Sequence, residues 1–155
     1  MTSEVIDGMP SLPYKRVLGL LSRRYVLKGV CMRWIVPGVL VLVAVIHALP
    51  LAGVLGAGKL LQLYGVPVPD ANIELLLRHR AVLFGLLAAL LGYAAFRPDL
   101  HRIALVAGLA SVVSYLGFWA AMAGTNAALA VVARVDGAAL VLLLVAGAVH
   151  LKGVR

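Results

Sequence analysis

The sequence predicts an all-α fold, an integral membrane up-down four-helix bundle that follows a basic N-terminal extension. Composition is the first reason: 63% of the 155 residues are hydrophobic and 13% are charged, whereas soluble domains are about half apolar and about one quarter charged. The second reason is that four apolar stretches are each long enough to cross a hydrocarbon core, which takes about 20 helical residues. Short turn-forming runs separate them, so neighbouring helices are expected to be antiparallel.

The extension, residues 1–33, mixes basic side chains with valines and leucines. This mixture predicts a basic segment that is either disordered or an amphipathic helix at the membrane interface. Two other interpretations stay open. One is that translation starts at Met32, which opens directly onto the first apolar segment. The other is that Arg23-Arg24 belongs to a twin-arginine export signal, although the interruption at Arg33 and the lack of a clear small-residue cleavage site favour an anchor.

The transmembrane domain is predicted over residues 34–151, with boundaries set by residues that break or cap helices. Pro50 is expected to kink the first helix. Residues 57–71 hold glycine and prolines and are predicted to be a loop, after which Asp70 or Asn72 caps the second helix. The tight turns lie at Arg97-Pro98-Asp99 and Gly124-Thr125-Asn126, between helices predicted over residues 34–56, 72–96, 103–124 and 126–151.

The basic residues predict the orientation, because cytoplasmic loops of membrane proteins are enriched in Lys and Arg. Of the 14 Lys and Arg residues, all but four lie on the side of the N-terminus. Both termini are therefore predicted to be cytoplasmic, in a bacterial inner membrane. This distribution also explains the net charge of +8 without nucleic acid as a partner. The four basic residues outside or in the outer half are Lys59, Arg78, Arg80 and Arg134.

Several chemistries are disfavoured by the residues present. Cys31 is the single cysteine, so neither an internal disulfide nor a Cys-x-x-Cys redox motif is available. The stretch Gly53–Lys59 has phosphate-loop spacing, but Leu60 replaces the magnesium-binding Ser or Thr and a membrane helix replaces the preceding strand. A bis-histidine haem at His47 and His79 is disfavoured because the second histidine adjoins an inward-facing arginine. No metal site, cofactor or catalytic residue is predicted.

Six polar residues of the membrane helices are predicted to meet in the outer half of the bundle. On translocon scales an ionisable group at the centre of a membrane helix costs about 2.5–3.5 kcal/mol, so such groups are functional candidates. With a rise of about 1.5 Å per residue, polar groups of all four helices fall at a similar depth. The predicted members are His47, Glu74, Arg78, Ser111, Tyr115 and Asp136.

Helix periodicity predicts which way these side chains face. Glu74 and Arg78 share a stripe with Gly85 and further small residues, and small residues mark close packing in lipid. They are therefore expected to point inward and to pair at i,i+4. Asp136 is too short to reach the headgroups and is expected to face inward, with Arg78 as its counter-charge. Arg80 shares its face with leucines, which predicts a lipid-facing side chain that snorkels.

Three interpretations of this cluster remain open. It is either an internal ion-pair network that fixes the bundle, or an outward-opening pocket that binds the head of an amphiphile or small metabolite, or a route for protons or ions. The first two are compatible because a pocket needs a scaffold. The third is the least favoured, since one carboxylate near mid-depth is little for a relay.

Several motifs resemble a family of small bacterial four-helix membrane proteins with DoxX-like architecture. The most specific is the Arg-His-Arg-Ala-Val-Leu-Phe-Gly sequence at residues 78–85, and the resemblance covers about residues 32–150. It implies the four-helix fold and no particular activity. Members often carry the genome label phosphopantetheine adenylyltransferase. This chain has neither the Gly-His dipeptide of that enzyme nor a parallel-strand pattern, so the label is interpreted as a misannotation.

The sequence therefore predicts a small membrane protein that binds a ligand or accompanies another protein and is not an enzyme. The expected partners are membrane lipids, a lipophilic or amphiphilic small molecule, and a membrane protein or a second copy of the chain. One alternative is a structural or oligomerisation subunit that uses small-residue faces at Gly85, Gly92 and Gly108. The other is a membrane enzyme that acts on a lipophilic substrate.

Overall fold

The computed structural model describes residues 34–153, and these residues form helices joined by short connections. Helix α1 covers residues 34–48 and continues as a 3-10 segment, Leu49–Leu55. The remaining elements are α2 (Ala57–Tyr64), α3 (Ala71–Ala95), a 3-10 turn (Pro98–Leu100), α4 (His101–Ala121) and α5 (Ala127–Gly153).

Four of these helical stretches are long and apolar enough to cross a membrane. The predicted class is confirmed: the chain is an all-α, multi-pass membrane protein whose four long apolar helices pack as a bundle. The predicted extension, residues 1–33, lies outside the described residues. The four spans are Trp34–Leu55, Ala71–Ala95, Pro98–Ala121 and Ala127–Lys152.

Pro50 changes the helix type in the first span. The α-helix gives way to a 3-10 helix at Leu49, with the proline in its first turn. Proline has no N–H to donate to the carbonyl four residues before it, so the α-helical pattern cannot continue through it. The 3-10 segment ends before Gly56, whose backbone φ of 118° is rarely adopted by residues other than glycine.

Helix α2 corrects the loop prediction for residues 57–71. The first eight residues of this stretch are helical. Most of them are good helix formers, and one of them, Leu60, is fully buried against Gly53. The helix stops at Gly65, which has the left-handed φ of 62°. The stretch with phosphate-loop spacing thus lies across a 3-10 segment and a helix, a context that does not cradle phosphate.

Helix α3 begins where the capping residues predict. The Asp70 carboxylate accepts hydrogen bonds from the backbone N–H groups of Asn72 and Ile73, at 2.8 and 3.1 Å. These bonds satisfy two amides that have no partner inside the helix. Asp70, and not Asn72, is therefore the cap.

Consecutive long helices are antiparallel, as contacts between them show. Leu51 covers Gly85 while Ala44, earlier in the first span, lies opposite the later Gly92. Between α4 and α5, Tyr115 contacts Leu129 and His101 contacts His150. Because lipid is as apolar as leucine, the helices are held by close packing and interhelical hydrogen bonds and not by exclusion of water. The largest fully buried side chains are Leu40, Val43, Leu60, Leu91, Val112 and Leu143.

Candidate ligand-binding cavity

A cavity of about 210 Å³ lies at the end of the bundle where α2 packs, and all five helices contribute to its wall. Its lining is mostly apolar, with five polar or charged side chains. Such a mixture of apolar wall and a few convergent polar groups is typical of small-molecule sites. We call it the main cavity. Its lining residues are Ile46, His47, Leu49, Pro50, Leu63, Tyr64, Arg80, Phe84, Tyr115, Val131, Val132, Val135 and Asp136.

His47 is the buried polar anchor of the main cavity, with 3% of its surface exposed. Its Nδ1 lies 2.9 Å from the Val43 carbonyl oxygen, and a carbonyl only accepts, so Nδ1 carries the proton. In the neutral ring Nε2 is then the acceptor, and the Ser111 hydroxyl, 3.2 Å away, donates to it. Two bonds from two helices therefore fix the orientation of the imidazole.

Arg80 projects its guanidinium among three aromatic rings. The guanidinium carbon lies 5.1 Å from the ring centre of Phe84 and 6.0 Å from those of Tyr64 and Tyr115, distances at which a cation is attracted to the face of a ring. Among residues 34–153 the guanidinium has no hydrogen-bond or ion-pair partner. Its N–H donors therefore remain available to water or to a ligand.

Asp136 places a carboxylate on the wall of the same cavity, on α5 directly after Val135 of the lining. Asp136 is partly buried. Within the described part of the chain it forms no hydrogen bond and lies beyond ion-pair distance of Arg80. The two opposite charges thus share a cavity without forming an ion pair, and the exposed Arg80 can also reach water or lipid head groups.

Two tyrosines shape the end of the main cavity that α2 covers. The Tyr115 hydroxyl donates to the Leu129 carbonyl, 3.1 Å away. The backbone of Tyr64 is fixed by Asn126, whose side-chain amide donates a hydrogen bond to the Tyr64 carbonyl at 2.9 Å. Burial raises the pKa of the Tyr64 phenol above its usual range, against an opposing effect of Arg80, so this hydroxyl stays neutral near neutral pH.

A second cavity of about 390 Å³ adjoins the main one and shares Arg80, Phe84 and Tyr115 with it. Its other walls come chiefly from α4 and include serine hydroxyls and large apolar side chains. Two of these, Phe118 and Met122, are 67% and 62% exposed, so the second cavity reaches the surface of the bundle. Its remaining lining residues are Ser111, Ser114, Trp119, Thr125 and Leu129.

The two cavities bring together four of the six residues that the sequence predicts as a cluster. His47, Tyr115 and Asp136 line the main cavity, and Ser111 joins them through its bond to the histidine. Glu74 pairs with the i+4 arginine of its own helix, as expected, at 3.3 Å.

That arginine, Arg78, corrects the predicted arrangement. With Glu74 it lines a separate, more exposed depression, so it is not the counter-charge of Asp136. Arg80, which is predicted to face the lipid, lines the main cavity with Asp136 without pairing with it, and the residue is also exposed at the surface of the bundle. Farther along the same face of α3, Leu91 is completely buried. This face therefore runs from the surface at Arg80 into the core at Leu91, while the small-residue stripe packs on the first span.

Sequence reasoning also missed Tyr64, because it lies in the helix that was predicted to be a loop. A usable signal for Arg80 was present: Phe84 follows four residues later, which places an aromatic ring beside the guanidinium on the same helical face. His79 lines the depression with Glu74 and not the main cavity with His47.

Comparison with known proteins identifies no relative: no protein-family model, curated protein or solved structure matches this chain.

Proposed function

We propose that this chain is a membrane binding or accessory protein that holds the polar head of a lipophilic or amphiphilic small molecule in the main cavity. The observation that carries the proposal is that Arg80 and Asp136 line one cavity without contacting each other. A head group with both acceptors and donors would bind both side chains.

The route into the cavity fits a ligand that dissolves in the bilayer. Helix α2 covers the end of the main cavity with Leu63 and Tyr64, whereas the second cavity reaches the bundle surface beside Phe118. An amphiphile can therefore place its head at Arg80 and extend its apolar part along α4. In the predicted orientation, with both termini cytoplasmic in a bacterial inner membrane, this site lies in the outer half. The likeness to DoxX-like proteins belongs to the same proposal and implies no ligand.

The packing of Gly108 weighs against its use as an oligomerisation surface. A Cβ atom on Gly108 would meet Leu143 and Leu91 at 3.4 and 3.6 Å, and one on Gly85 would lie 2.7 Å from Leu51. Gly108 is thus occupied by contacts inside the bundle, whereas Gly85 and Gly92 also line an apolar groove at the surface between the first span and α3, which a second copy could contact. We keep the binding function as the proposal.

The test is native mass spectrometry of the full chain, extracted in a mild detergent, with a matched pair of Val→Phe variants on α5. Val132→Phe fills the main cavity, which Val132 lines, whereas Val141→Phe adds the same bulk at a side chain that is 60% exposed. We expect a co-purified small-molecule adduct on the wild type and on Val141→Phe, and its loss from Val132→Phe. Equal adducts on both variants, or none on the wild type, would contradict the proposal.

A further inference from the structure

The main cavity carries opposite charges on its walls, and this restricts the head group that fits it. Arg80 offers only donors, and Asp136, when ionised, offers only acceptors. A purely anionic head satisfies the guanidinium but meets the carboxylate as a like charge, and a purely cationic head has the reverse difficulty. A head that is anionic at one end and cationic at the other satisfies both.

The aromatic surroundings of Arg80 favour an oxyanion at its end of the head. Three rings lie within 6.0 Å of the guanidinium carbon, and rings supply no acceptor for its N–H groups. The Tyr115 phenol donates to the Leu129 carbonyl, and neither tyrosine hydroxyl forms a hydrogen bond with the guanidinium among the described residues. The planar donor set of arginine matches two oxygens of a phosphate or carboxylate in a bidentate fashion.

The Asp136 end selects for hydrogen-bond donors and not merely for positive charge. A primary ammonium donates up to three hydrogen bonds, whereas a quaternary ammonium donates none. The neighbouring valines, Val132 and Val135, add no polar group that could compensate the carboxylate in place of the ligand. A primary ammonium is therefore the cation that Asp136 satisfies best.

The sizes of the two cavities fit a head followed by a chain. The main cavity, about 210 Å³, accommodates a small head group, whereas the acyl part needs further space. The second cavity, about 390 Å³, continues from Arg80 past Trp119 to the exposed Phe118. An acyl chain attached to the phosphate end can follow this apolar wall to the lipid.

From these observations we propose that the ligand is a phospholipid with a primary-amine head of the phosphoethanolamine type. Its phosphate binds Arg80, its ammonium binds Asp136, and its acyl part leaves through the second cavity. This inference rests on the proposed binding function and adds the class of head group to it.

The experiment titrates the full chain, in detergent, with three single-chain phospholipids that share one acyl chain and carry ethanolamine, choline or glycerol heads. Native mass spectrometry gives the apparent Kd of each complex. We expect the ethanolamine lipid to bind about tenfold more tightly than the other two, which is what one hydrogen bond to a charged group provides.

Variants separate the two ends of the head. Arg80→Gln is expected to weaken all three lipids, because all contain the phosphate. Asp136→Asn is expected to remove the preference for ethanolamine over glycerol, and Asp136→Glu, which keeps the charge, is expected to retain it. Arg78→Gln is the matched control, two residues along the same helix and outside both cavities, and should leave the affinities unchanged.

The outcomes distinguish this inference from the proposed function. If none of the three lipids binds the wild type above the detergent background, and no co-purified adduct is present, both fail. If the lipids bind with equal affinity, or if the glycerol lipid binds most tightly, the head-group inference is overturned while the binding function stands. Retention of the ethanolamine preference in Asp136→Asn would equally overturn the inference.

Discussion

Replacing Gly108 with leucine is expected to destabilise the bundle, whereas the same replacement at Gly117 is not. Both glycines lie in α4. A Cβ atom at Gly108 would lie 3.4 Å from both terminal methyl groups of Leu143 and 3.6 Å from one of Leu91, whereas a Cβ at Gly117 would have nothing within 4 Å. The two positions therefore differ in available space and not in helix type.

The magnitude follows from two contributions. Leucine exceeds glycine in helix propensity by about 0.8 kcal/mol, and this gain applies equally to both variants. At Gly108 the leucine also adds three carbon atoms beyond a Cβ that is already in contact with Leu143, and overpacking of this kind costs about 1–3 kcal/mol. The expected difference in unfolding free energy between the two variants is therefore the overpacking cost alone.

Reversible unfolding by SDS in mixed micelles, followed by circular dichroism, measures both free energies under one condition. Equal stability of Gly108→Leu and Gly117→Leu would refute the packing argument. Light scattering of the same samples separates a second explanation: if Gly108 contacted another copy of the chain, its replacement would change the mass of the particle and leave the unfolding free energy unaltered.

Three further substitutions test the contacts around the main cavity and the orientation. Ser111→Ala removes the donor to the buried histidine and should lower the free energy of unfolding by about 0.6 kcal/mol, typical of an interhelical bond in a membrane protein. The Ser114 hydroxyl bonds only within its own helix, so Ser114→Ala should lower it less. SDS unfolding measures both changes. Asn126→Ala loses both the cap of α5 and the tether to α2 and should lower stability by about 1–2 kcal/mol in the same assay. With Cys31 replaced by serine, a thiol reagent that cannot cross the membrane should label Ala57→Cys and not Asp99→Cys in intact cells; the opposite pattern would reverse the predicted orientation.

Composition and turn residues were sufficient to predict the four long helices, because lipid imposes both their length and their apolar character. The Asp70 cap and the effect of Pro50 also follow from local chemistry. Helix α2 did not, since it depends on burying Leu60 against Gly53 across the helix break at Gly56, and helical periodicity does not continue across such a break.

The candidate site shows where periodicity alone misleads. Arg78 and Arg80 differ by two positions, which places them on different faces of α3, and the choice between them depended on which stripe faces the interior. The prediction assigns the small residues to the interior, yet in this bundle they contact the first span, and the stripe with Phe84 and Leu91 reaches the cavity and core. Both stripes contact a neighbouring helix, so the sequence pattern could not rank them.

The position of α2 across the end of the main cavity has a consequence for how occupancy is controlled. Leu63 and Tyr64 of α2 line that end and Asn126 joins α2 to α5, so the proposed ligand would exchange through the hydrocarbon phase and not through the aqueous phase. In vesicles that contain the protein, saturation of the site should then follow the mole fraction of the ligand among the bilayer lipids. It should not depend on the volume of water around the vesicles. Diluting the membrane with inert lipid would empty the cavity, whereas diluting the suspension with buffer would not.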